Sequence, residues 1–62
     1  MDRVLTDALG QIYAIIRESE ERIECFDAQG VLRSYYDKQM DASFDARGIY
    51  LGQGNLTLSA LG

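Results

Sequence analysis

An Asp-Ala-x-Gly segment occurs three times in this chain, at 7–10, 27–30 and 45–48, with the copies 20 and then 18 residues apart. No other feature limits the fold so tightly. Aspartate at the first position of a type I turn accepts a hydrogen bond from the backbone two residues on. Glycine at the fourth position supplies the left-handed conformation of a bulged hairpin turn. The spacing predicts three hairpins with Asp7, Gly10, Asp27, Gly30, Asp45 and Gly48 as turn residues. The second and third copies also share a preceding aromatic, Phe26 and Phe44.

The columns after each glycine extend the repeat. Two residues on stand Ile12, Leu32 and Tyr50, all large; four residues on stand Ala14, Ser34 and Gly52, all small. Alternation along a strand assigns both columns to one face, where the small groups let neighbouring hairpins approach. The opposite face then carries Ile15, Ile23, Cys25, Val31, Tyr35, Ile49 and Leu51. Phe26 is expected across from Leu32, and Phe44 from Tyr50. Strands are expected near 3–6, 11–17, 22–26, 31–36, 41–44 and 49–53, in repeat units at about 3–17, 22–36 and 41–54. Turns over 18–21 and 37–40 join the units. The 55–62 tail reads as a short helix capped by Asn55 or as a final strand.

A second reading competes over the first third of the chain. Met1, Val4, Leu5, Ala8, Leu9, Ile12, Ile15 and Ile16 also fall on one arc at helical spacing. This gives an α+β alternative, an amphipathic helix over 2–20 followed by a four-stranded antiparallel meander. Strands are favoured because Gly10 costs a helix interior about 1 kcal/mol, because Ile12, Ile15 and Ile16 are β-branched, and because the repeat columns run on into this segment. The expected fold is an all-β meander of about three hairpins.

With 62 residues there is one small domain, 1–62. A chain this short buries only roughly 60% of its unfolded surface, and needs a staple or a partner. Cys25 is the single cysteine and histidine is absent, so an internal disulfide is excluded and a structural zinc site lacks ligands. Both faces of the meander are rich in apolar groups, and one short sheet has no second layer to cover them. Self-association into a dimer or tetramer is therefore expected. Ile15, Ile23, Tyr35, Tyr36, Tyr50 and Leu51 are the candidate interface or ligand-facing residues, against a protein or small-molecule partner.

Ten acidic against six basic residues leave a net charge of -4. That sign repels phosphate backbones and anionic lipid surfaces, so neither nucleic acid nor membrane is expected as a partner. The longest apolar run, 12–16, is too short to span a bilayer. No basic start followed by an apolar stretch marks a signal peptide, and the expected location is cytoplasmic. Catalytic, metal and cofactor residues are not assigned. The usual general base at neutral pH is absent. Cys25 reads as a small buried hydrophobe rather than a nucleophile. A ring of turn carboxylates could hold a divalent cation weakly. Glu18, Glu20 and Glu21 are a solvated acidic turn or a contact for a basic partner.

The aromatic-Asp-x-x-Gly repeat resembles the bacterial β-flower domains, in which short hairpins are arranged radially. The likeness is carried by 26–30, 34–37, 44–48 and Gly52; it covers 22–54 well and 4–17 more loosely. Thr6 stands where the repeat has an aromatic, and Ala14 and Ser34 where it has glycine. The resemblance implies a radial β assembly built by oligomerisation and implies no activity. The function expected is an oligomeric interaction or binding module that is not an enzyme. The alternative is an acidic inhibitor, antitoxin-like, that blocks a basic partner.

Overall fold

Each repeat unit folds as strand, tight turn, strand, and the six strands join in sequence order. A computed structural model describes residues 1–61, with β1 Asp2–Thr6, β2 Ile12–Glu18, β3 Arg22–Phe26, β4 Leu32–Asp37, β5 Ala42–Asp45 and β6 Tyr50–Gln53. They form one antiparallel meander, β1-β2-β3-β4-β5-β6. The fold is all-β, and the N-terminal segment is the first hairpin rather than a helix. Ile12, Ile15 and Ile16 sit in β2, where β-branched side chains pack well on a pleated surface. Gly10 lies in the turn at φ 79°. A lone 3₁₀ turn, Ser59–Leu61, is the only helical element among the described residues, and none of their helices is long and apolar enough to cross a membrane.

The three Asp-Ala-x-Gly turns share one geometry. In each, the glycine N–H donates to the aspartate carbonyl at 2.9–3.0 Å, and the aspartate N–H donates to the carbonyl four residues on at 2.9 Å. The glycines lie at φ 79°, 82° and 85°. These are type I turns with a left-handed bulge residue.

A second irregularity follows in every unit. Pairing runs Leu5↔Ala14 then Thr6↔Ile12, Cys25↔Ser34 then Phe26↔Leu32, and Ser43↔Gly52 then Phe44↔Tyr50. One extra residue is inserted each time between the large and the small column. A bulge of this kind undoes simple alternation. Phe26 lies across from Leu32 and Phe44 from Tyr50 as expected, yet the two columns do not share a face. The large column goes with the phenylalanines and the small column with Leu5, Cys25 and Ser43. Cys25 and Ile23 are likewise on the face of the small column, because Cys25 pairs with Ile16 and Ser34. The expectation that they accompany Ile15 and Tyr35 is overturned by the same insertion.

The small column has its own occupant. After β6 the chain turns back under the sheet and lays 54–61 across it. Ser34 Oγ donates to the Thr57 carbonyl at 3.1 Å, Ser43 Oγ donates to the Gly54 carbonyl at 2.6 Å, and Leu56 N–H donates to Ser43 Oγ at 2.9 Å. Ala14, Cys25, Ser34 and Ser43 are fully buried beneath this cover, and Thr57 is buried within it. Leu5, Ile23 and Leu61 pack around the cluster of Ala14, Ile16 and Cys25. The tail is neither a strand nor a helix that starts at Asn55. Asn55 Oδ1 instead accepts from the Thr57 N–H at 3.1 Å and from the Thr57 hydroxyl at 2.7 Å, closing a local turn. Gly62, the last residue of the expected tail, lies outside the described residues.

Candidate functional site

The sheet has one covered face and one open face, and the open face holds the groups best suited to contact a partner. Cross-strand neighbours share a face, which builds this surface from the register. Val4, Ile15, Phe26 and Leu32 lie together, and beside them Glu24, Tyr35, Phe44 and Tyr50 run in a row from β3 to β6. Tyr35 stacks on Phe44 with ring centroids 5.3 Å apart, and Phe44 meets Tyr50 edge-on at 6.0 Å. Both separations fall in the favourable range for aromatic pairs.

The charges on this face are satisfied locally. Arg17 lies over the Phe26 ring at 5.7 Å and pairs with Asp2 at 3.3 Å. Arg22 lies over the Tyr35 ring at 4.8 Å, with Glu24 at 4.0 Å. Such exposed pairs add little stability, but they leave both guanidinium groups within cation–π range of the rings. The result is a largely apolar surface on an acidic protein, with Asp37, across from Arg22, the one carboxylate of the face outside these pairs.

The six candidate interface residues are divided by the fold. Ile15, Tyr35 and Tyr50 are on the open face, with Tyr50 61% exposed. Ile23 packs against the covered cluster. Tyr36 pairs with Ser43 of the covered face, and its hydroxyl donates to Asp41 Oδ1 at 2.7 Å. That bond and the Asp41 charge push its phenol above the ordinary value. Leu51 borders the tail, in a shallow hollow with Leu56, Ser59 and Ala60. Phe26, Phe44 and Val4 join the open face although they are not among the interface candidates read from the sequence. The register shift that places them there leaves no mark on composition.

The turn aspartates are structural groups. Each Oδ1 accepts two backbone N–H bonds, from the residues two and four positions on: Asp7 from Leu9 and Gln11, Asp27 from Gln29 and Val31, and Asp45 from Arg47 and Ile49, all at 2.9–3.0 Å. Their turns lie at one end of the sheet but on alternate hairpins, roughly 10 Å apart by the strand spacing. No group of three potential metal ligands exists among the described residues. The Val31 and Ile49 N–H bonds, with help from the neighbouring arginines, hold the Asp27 and Asp45 carboxyls below the usual aspartate range. A lowered folded-state pKa stabilises the fold above the unfolded value of about 3.9 and loses that contribution as pH falls through the folded value. The urea midpoint is therefore expected to fall on acidification below about pH 4. Asp27→Asn with Asp45→Asn keeps the acceptor oxygens and should flatten that dependence; an unchanged acid limb in the double variant contradicts the assignment.

Cys25 is fully buried, and desolvation pushes its thiol up, only partly offset by the bond with Ser34. A nucleophile needs the opposite, a lowered pKa and access. At the far end of the sheet, Glu20, Glu21, Asp37, Lys38 and Gln39 line an open hollow, and Lys38 Nζ binds Glu18 at 2.8 Å. No known protein family, characterised protein or solved structure matches the chain.

Proposed function

We propose that this chain is a non-enzymatic interaction module that works through the open face of its sheet and assembles with other chains. The carrying observation is the aromatic ribbon Tyr35–Phe44–Tyr50 beside Val4, Ile15 and Phe26, with both arginines of that face within cation–π range of its rings. Aromatic and arginine-rich apolar patches are typical of binding hot spots. The buried Cys25 and the hydrogen-bonded turn aspartates support a role without chemistry. The likeness to β-flower repeats supports assembly of several hairpin units.

The test is comparative capture. Wild-type protein and Tyr50→Glu are immobilised side by side, and a partner retained by the first and lost by the second supports the reading. A partner retained equally by both removes the open face from the function. A second reading, capture of a basic partner in the manner of an inhibitor, has its own observation in the acidic hollow of Glu20, Glu21 and Asp37. Retention that vanishes between about 0.05 and 0.5 M salt favours it, because exposed charge contacts are screened over that range.

A further inference from the structure

We infer that the occupant of the open face is a second copy of this chain, docked face to face so that two sheets enclose one apolar layer. This rests on reading that face as the contact surface and adds the identity of the partner.

One chain alone is poorly enclosed. Among the described residues the only buried apolar ones are Ala14, Ile16, Cys25 and Ala42, while Val4 and Tyr50 are more than half exposed. It exposes 4335 Å², against roughly 4,000 Å² for a compact monomer of this mass. Its radius of gyration is 11.3 Å, against roughly 10.6 Å for a compact chain of this length. The covered side has its second layer in the tail; no described segment lies on the open side.

Area and charge both suit a second copy. The molecule measures 35 Å by 23 Å in its two long directions, which sets an upper bound of roughly 800 Å² on the open face, so that covering most of it approaches a standard stable interface. Two chains of charge -4 repel each other over most of their surface. The open face adds little to that repulsion, since Arg17 and Arg22 offset all but one of Asp2, Glu24 and Asp37 there. A strongly basic partner would find at most one unoffset carboxylate on this face, whereas an identical apolar face would find the whole aromatic ribbon. Sheets packed in this way interdigitate inner side chains across about 10 Å. The contact residues would be Ile15, Phe26, Tyr35 and Phe44 at the centre, with Val4 and Tyr50 at the two edges.

Sedimentation equilibrium of the full chain tests this directly. The wild type is expected to be a dimer at about 100 µM. Tyr50→Glu and Val4→Glu, at opposite edges of the face, should each weaken dimerisation by at least about 30-fold. Leu58→Glu, on the exposed side of the tail, should leave it unchanged. Where a variant loses strand structure by circular dichroism, the wild type decides by nuclear magnetic resonance. A soluble paramagnetic agent should broaden Val4 and Tyr50 side-chain signals only after dilution to the monomer. A wild type that stays monomeric overturns the second copy while the capture comparison above still judges the interaction module. A dimer indifferent to both face variants also overturns it, and moves the contact to another surface such as the open edges of β1 and β6.

Discussion

A chain that stops at Gly54 is expected to lose cooperative unfolding altogether, although all six strands remain in it. The deletion strips the cover from Ala14, Cys25, Ser34 and Ser43, each fully buried in the intact protein. It removes the Thr57 carbonyl that Ser34 Oγ binds and the Leu56 N–H that binds Ser43. It also removes Leu61 from the Ala14–Ile16–Cys25 cluster. Two partly buried leucines, one buried hydrogen bond and one partly buried one together amount to about 4 kcal/mol. A chain of this length has only about 3–9 kcal/mol in total. Urea unfolding at fixed protein concentration, read by circular dichroism, should show a broad slope with no plateau for the shortened chain. A midpoint within error of the full chain would mean that the tail is an ornament rather than a layer. Ser34→Ala is the graded companion: it leaves the Thr57 carbonyl with only the Ala60 N–H at 3.3 Å as donor and should cost about 1 kcal/mol.

The local parts of this fold were legible in the sequence because their causes are local. Asp at the start and Gly at the end of a four-residue segment have one well-populated way to be satisfied, and the backbone adopts it three times. The strand over Ile12–Glu18 could be favoured over a helix for the same kind of reason: Gly10 and three isoleucines act on the backbone at their own positions. The turn at Ser19–Glu21 lacks glycine, and non-glycine positive φ occurs only at Asp41 among the described residues. Ser19 instead ties the turn, its N–H and hydroxyl reaching the Arg22 carbonyl at 2.9 and 3.3 Å.

Facing was not legible, and the cause is a single inserted residue per unit. Counting by twos from the glycine carries Leu32 and Ser34 to the same side, but the extra residue in the pairing reverses that parity. Nothing in Leu32-Arg33 or Tyr50-Leu51 announces an insertion, because the bulge is a property of the pair of strands and not of either one. The small column did announce that something comes close. It could not announce what. Neighbouring hairpins and the chain's own tail make the same demand on Ala14, Ser34 and Gly52, and only the long-range bonds to 54–57 separate the two.

Valine at Gly10, Gly30 or Gly48 is expected to cost about 2 kcal/mol at each site, so that any two together reach the lower end of the roughly 3–9 kcal/mol a chain of this length has. The cost comes from the backbone alone. A Cβ at Gly10 or Gly30 meets nothing within 4 Å, and at Gly48 only the Tyr35 hydroxyl at 3.8 Å. Space is therefore available at all three, and crowding cannot explain a loss. The penalty lies in holding an L-residue at φ near +80°, which is worst when it is β-branched. Asparagine enters the left-handed region more readily, so Gly→Asn at the same sites should cost about half as much or less. The ranking valine worse than alanine worse than asparagine, repeated at all three turns in urea midpoints, is the signature of conformation. A ranking that follows side-chain volume instead, or a loss at Gly30 and Gly48 with none at Gly10, would separate the first hairpin from the other two. Equal losses would mean that one turn, written three times, closes each of the three hairpins whose bulges then turn an aromatic ribbon outward and a row of small residues inward.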